Sequence, residues 1–138
     1  MTAAFELGDK FTLGVNSTVK NIATDSDENI DDVSWYGGAL YLGFAATDNF
    51  TIGLRGEYFN DGADAVFDKS VLAEAVDEVS VFATTLSANI KIGELTLIPE
   101  FRLDSASADI FEVATDEGAA AEFSASSPRF IFAAVYGF

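Results

Sequence analysis

Polar and apolar residues alternate with period two along most of this chain, the pattern of strands with two unlike faces. Seven segments carry it. The first is a short one ending Phe5-Glu6-Leu7; then come Phe11–Asn21, Val33–Ala46, Phe50–Asn60, Ser80–Ile92, Leu95–Ser105 and Arg129–Phe138. In Phe50–Asn60, Phe50, Ile52, Leu54, Gly56 and Tyr58 take one face, and Thr51, Gly53, Arg55, Glu57 and Phe59 the other. Leu95–Asp104 repeats the arrangement, with Leu95, Leu97, Pro99, Phe101 and Leu103 against Thr96, Ile98, Glu100, Arg102 and Asp104. Most segments reach the roughly 9–11 residues that a tilted membrane strand requires.

The connections alternate as well. Gly8-Asp9, Thr47-Asp48-Asn49 and Gly93-Glu94 are short and rich in turn formers, as hairpins need. Between them lie long links at Ile22–Asp32, Asp61–Val79 and Ala106–Pro128. Short turns at one end and long loops at the other predict an all-β fold, an antiparallel up-and-down transmembrane β-barrel with periplasmic turns. The chain then forms the whole barrel or its C-terminal seven-strand part. Residues 1–138 read as a single outer-membrane β-barrel domain, incomplete at its N-terminus. The stretch Ala63–Ala75 has some helical character around Val66, Phe67, Val71 and Leu72.

Charge sharpens this picture. The net charge is −16, from 23 acids and 7 bases, yet 49% of residues are hydrophobic. Sixteen of the 23 acids sit in the three long links, with Lys69 as the one base there. An apolar wall with acidic extracellular loops accounts for both facts. Such a balance argues against nucleic-acid binding, which needs a basic face. No run of about 18 apolar residues is present, so no transmembrane helix is expected. The start Met1-Thr-Ala-Ala lacks the basic and apolar regions of a signal peptide, so the sequence reads as a mature form or a fragment.

With the apolar face toward lipid, Lys20, Arg55, Lys91, Arg102 and Arg129 point inward with Glu57, Glu100 and Asp104. These eight are the expected pore-lining residues. Arg or Lys facing lipid near the midplane would cost about 2–4 kcal/mol each. A soluble sheet with cross-strand ion pairs on a solvated face is the other reading of the alternation alone. Aromatics fall into two belts, as interfacial girdles do. Phe11, Phe50 and Phe138 lie on the turn side, and Tyr36, Tyr58, Phe82 and Phe130 toward the loops; packing inside a sandwich is the alternative. Two features fit less well. Ile131, Ala133 and Val135 point inward, and Pro99 sits mid-strand, where a bulge or unpaired position is expected.

The last strand ends on Phe138, whereas termini of soluble proteins usually fray into water. A closing strand with an interfacial aromatic predicts contact with outer-membrane lipid and with the barrel-assembly machinery during insertion. The strand before Gly8-Asp9 runs down into a short turn, as does the last one. A barrel with both termini periplasmic and an even strand count starts with a strand running up. An odd number of strands is therefore expected to come from further N-terminal strands or another polypeptide.

Tyr36-Gly-Gly-Ala-Leu-Tyr-Leu, Leu54-Arg-Gly-Glu-Tyr-Phe-Asn-Asp61, Leu95-Thr-Leu-Ile-Pro-Glu-Phe-Arg-Leu-Asp-Ser105 and the ending Ala133-Ala-Val-Tyr-Gly-Phe138 resemble the β-barrel porin family of Bacteroidota, the OmpL-like group. The resemblance spans roughly Val33 to Phe138 and corresponds to the C-terminal part of the longer family members. It implies an outer-membrane barrel in a Gram-negative cell.

Histidine and cysteine are absent, which removes Ser-His and Cys-His catalysis and His-based zinc sites. Glu57 and Glu100 are a conceivable carboxylate pair, but each sits beside an arginine on its own strand, which disfavours glycoside chemistry. No enzymatic activity and no cofactor are expected. Asp25, Asp27, Asn29 and Asp31 offer oxygens at alternate positions, a weak Ca²⁺ candidate. Ile30 and Tyr36 stand where a calcium loop wants glycine and glutamate. The function expected first is a porin-like passive channel for small solutes. A non-conducting accessory barrel subunit and a soluble secreted β-domain for adhesion are the alternatives.

Overall fold

The computed structural model describes residues 1–22, 33–62, 66–67, 78–113 and 121–138. Six long or medium strands run in chain order: β1 (Thr2–Leu7), β2 (Phe11–Ile22), β3 (Val33–Thr47), β4 (Phe50–Gly62), β5 (Glu78–Ile92) and β6 (Leu95–Ala106). Two three-residue strands follow, β7 (Phe111–Val113) and β8 (Glu122–Ser124), before β9 (Ser126–Tyr136). The seven long strands form one antiparallel sheet in the order β1-β2-β3-β4-β5-β6-β9, each beside its neighbour in sequence. Among the described residues β1 and β9 are edges, each bonded to one strand, and the sheet does not close on itself.

The hairpin turns explain the register. Gly8 and Gly93 adopt φ of 71° and 63°, which lets tight turns reverse the chain without steric cost. A register shift between Ala45 and Thr47 places a bulge beside the two-residue Asp48-Asn49 turn. Pro99 has the expected effect on one side only. Pairing of β5 with β6 stops after Ser87↔Glu100 and resumes at Ile90↔Leu97, whereas Pro99↔Phe132 is intact on the β9 side. Proline lacks the N–H that a ladder position needs.

The two faces follow from this pairing. One ladder row runs Phe5–Leu13–Leu42–Leu54–Leu86–Phe101–Phe130 across all seven strands. Leu54, Leu86, Phe101 and Phe130 in it are exposed by 46–69%. Burial is one-sided: in β5, Ala83 and Thr85 are buried, although Phe82 and Leu86 are larger and exposed. A flat sheet would cover both faces alike, so this one curls toward the face of the smaller residues. The fully or nearly enclosed side chains include Asp61 and Asp104, a reversal of a soluble core.

Two expectations are corrected at the ends of elements, and two others fall largely or wholly outside the described residues. The last strand starts at Ser126 and stops at Tyr136, so Phe138 lies beyond it and is fully exposed. The Gly137 N–H still donates to the Glu94 carbonyl at 3.0 Å, continuing the contact past the strand. The link Ala106–Pro128 contains the β7–β8 hairpin, whose runs of three residues are too short to show a period. Of the helical stretch expected over Ala63–Ala75, Val66 and Phe67 form a bend and the others lie outside the described residues. The calcium candidates Asp25, Asp27, Asn29 and Asp31 also lie outside them.

Candidate functional site: a charged belt on the inner face

Lys20, Arg55, Glu57, Lys91, Glu100, Arg102, Asp104 and Arg129 all alternate onto the covered face, and five of them fall in two adjacent ladder rows. One row reads Gly14–Tyr41–Arg55–Thr85–Arg102–Arg129 from β2 to β9. The next row toward the loops reads Asn16–Ala39–Glu57–Ala83–Asp104–Ser127. Cations therefore occupy one level and acids the adjacent level, two residues along each strand.

Five of these side chains join into a continuous chain of ion pairs. Arg55 pairs with Glu57 on its own strand, and Glu57 also receives Arg102 from β6. Arg102 holds Asp104 through Nε at 2.9 Å and Nη2 at 2.8 Å, and Arg129 reaches the other Asp104 oxygen at 2.7 Å. The Asp104 side chain is 3% exposed and that of Arg129 54%. Charge-assisted, forked bonds of this kind are directional and fix the geometry of both partners. Three guanidinium groups face two carboxylates, so the belt keeps one net positive charge.

The belt depends on small residues that composition alone would not single out. Glu57 and Arg102 lie on strands separated by β5, and the intervening partner of Glu57 is Ala83. Neighbouring strands are about 4.8 Å apart, so an arginine spans the gap only if nothing taller stands between. At the other end a Cβ on Gly14 would lie 3.2 Å from the Tyr41 Cβ, so glycine leaves the slot that Tyr41 fills. The Arg55 guanidinium then sits 5.0 Å from the centre of the Tyr41 ring, a cation–π contact. Tyr41 alternates in phase with Ala39 and Gly43 and stands opposite Arg55, which puts it on the inner face.

Ala83→Leu is expected to push Arg102 away from Glu57 and to cost about 1–3 kcal/mol through overpacking. Ala88→Leu, on the outer face of the same strand, should cost clearly less. Unfolding midpoints in detergent would compare them, and equal losses would show that Ala83 has no bridging role.

Lys20, Lys91 and Glu100 share the inner face but lie away from this belt. Lys20 stands opposite Trp35, Lys91 opposite Thr96, and Glu100 between Ser87 and Ile131. Glu100 sits two residues from Arg102 on the same face, yet the belt's ion pairs run through Glu57 and Asp104. Ile131, Ala133 and Val135 do face inward, on the turn side of Arg129. Arg55 Nε and Thr85 Oγ1, both in the arginine row, are buried without a partner among the described residues. Among the described residues no cluster of acids suits a metal ion.

The outer face carries aromatic contacts of its own. Phe11 stacks on Phe44 at 4.9 Å, and Tyr36 lies 6.2 Å from Tyr58. Tyr58 is directly opposite Phe82, and Phe50 opposite Ile90. Phe130 lies in the Leu54 row rather than in that of Tyr58 and Phe82, which ends at Ser105 and Ser126. Ladder rows incline to a barrel axis because the strands tilt, so a row and a membrane level differ.

The aromatic cluster inside went unforeseen. Trp35 and Phe59 are inner-face residues with ring centres 5.7 Å apart, and Phe67 meets Phe59 edge-on at 6.0 Å. Phe67 belongs to a long link, where strand alternation gives no facing.

The family described as putative beta-barrel porin-2, OmpL-like, matches the chain over residues 1–138. The match takes in β1 and β2 as well as the stretch from Val33 onward. No curated protein and no solved structure matches the chain.

Proposed function

Because this chain belongs to the OmpL-like β-barrel porin family, we propose that it forms the wall of an outer-membrane channel that passes small solutes passively. The observation that carries this reading is the reversal of the two faces. Exposed Leu and Phe cover the outside across seven strands, and an ion-pair belt crosses the inside. Lipid solvates the first face, and water with counter-charges solvates the second. Arg55 Nε and Thr85 Oγ1 need partners that a wet interior supplies. On this reading Lys20, Lys91 and Glu100 also line the path, and solute preference is set by size and by the residual positive charge of the belt.

The edges of β1 and β9 must be satisfied in hydrocarbon, where each unpaired backbone group costs several kcal/mol. The proposal includes closure by further strands, from this polypeptide or another. Both edge strands run from the loop side to the turn side. A second copy inserted the same way up presents edges of the same direction, so two copies cannot close antiparallel. The closing set is odd in number, and both of its outer strands run from turns to loops.

The test is the native mass of detergent-extracted protein with every bound chain identified, followed by conductance in planar bilayers. Ion conductance by the closed assembly supports the channel. A non-conducting complex with a large partner would favour the second reading, an accessory barrel subunit, which the open edges also suit. A closed monomer with β1 bonded to β9 would overturn the closure argument.

A further inference from the structure

We propose that Asp61 is a positioning residue that pins Phe67 over the inner face, so that Trp35, Phe59 and Phe67 form an aromatic shelf narrowing the loop-side mouth ahead of the arginine belt. The inference rests on the channel reading above. Asp61 stands on the inner face, opposite Trp35 of β3 and Val79 of β5, and has no exposed surface. A carboxylate so placed must be hydrogen-bonded to persist. Its partners are main-chain donors: the Val66 N–H at 3.0 and 3.1 Å and the Phe67 N–H at 2.8 Å. Two successive amides on one carboxylate fix the direction of the backbone between them. That direction sends the Phe67 ring onto Phe59 at 82° between ring planes, an edge-to-face contact.

The shelf is built into the sheet as well as into the link. A Cβ on Gly37 would lie 3.2 Å from the Phe59 ring and 3.1 Å from the Tyr58 carbonyl, so glycine leaves the place that Phe59 fills. Trp35 is the one tryptophan of the chain, and it faces inward, where it cannot serve as a lipid-interface anchor. Phe59 lies one inner row on the loop side of Glu57, and Trp35 with Asp61 one row beyond it. A solute entering from the loop side therefore meets ring faces first and guanidinium groups next. A narrow apolar section resists fully hydrated ions and favours organic solutes that offer a ring or alkyl face.

The test uses the closed, full assembly in planar bilayers, with Phe67→Ala, Asp61→Asn and the double variant. Each single change should raise conductance, on the order of twofold if the shelf is the narrowest section. The double variant should add little to the larger single effect, because both changes remove the same ring from the path. Emission of Trp35 should shift to the red in all three as water reaches the indole. Additive conductance changes would overturn the pinning, as would a Phe67→Ala channel with unchanged conductance and emission. If Asp61→Asn fails to assemble, Phe67→Ala decides, since it leaves the Asp61 hydrogen bonds in place. A wild-type assembly that does not conduct would overturn the channel reading, and the emission shift would still decide whether Asp61 places Phe67.

Discussion

Leu54→Arg blocks membrane assembly or strongly destabilises the fold, whereas Thr51→Arg is far milder: that is the result expected from the facing of β4. Leu54 lies at the middle of the apolar row, with Leu42 and Leu86 on either side. It is 46% exposed with no polar group beside it in that row, so an arginine there would enter hydrocarbon. The cost is about 2–4 kcal/mol at the midplane of a barrel wall. Thr51 alternates to the inner face, in the row of Ala45 and Asn89. An arginine there joins a polar surface. Heat-modifiability on gels and protease protection of membrane fractions would read assembly of both variants. Equal effects would reverse the assignment of inside and outside.

Asp104→Asn is expected to loosen the belt and to move the channel toward anions. Asp104 takes bonds from Arg102 and Arg129 and is almost wholly enclosed. Removing one member of a buried pair costs about 3–5 kcal/mol when its partners cannot relax. Arg129 is half-exposed and can turn to water, so the loss should fall at the lower end of that range. The same change raises the net charge of the belt by one, since asparagine is neutral and the three arginines remain. Unfolding in detergent would measure the first effect, and the reversal potential under a salt gradient the second. An unchanged reversal potential in a conducting variant would remove the belt from the conduction path. Glu100→Gln, outside the belt, is the control for charge alone.

The sequence carried the strands because membrane strands must alternate. Phe50–Asn60 and Leu95–Ser105 were legible to within two residues, and the facing of Arg55, Glu57, Arg102, Asp104 and Arg129 came with them. Hairpin turns declared themselves through glycine, aspartate and asparagine at Gly8-Asp9, Asp48-Asn49 and Gly93-Glu94. Residues two apart share a face, which put Glu57 beside Arg55 and both Glu100 and Asp104 beside Arg102; of these, Glu57 and Asp104 are the belt's partners. The partial loss of pairing at Pro99 followed from the missing N–H. The family resemblance was legible from Val33 onward, and the match extends it to residue 1.

What the sequence determined by itself was thus everything local: strand, turn, face and the segregation of charge between wall and loops. Only the tertiary structure decided which strands' charges meet. Register sets Ala83 between Glu57 and Arg102, and curvature brings their side chains together over it. Neither quantity is written in any single segment, because each depends on the neighbouring strand. The same holds for Asp61, an acid like the others in a long acidic link until the fold encloses it and turns the Val66 and Phe67 amides toward it. Hydrogen-bond partners across five or six residues of irregular chain have no period to betray them. Alternation fixes where a side chain points, and packing fixes what it finds there.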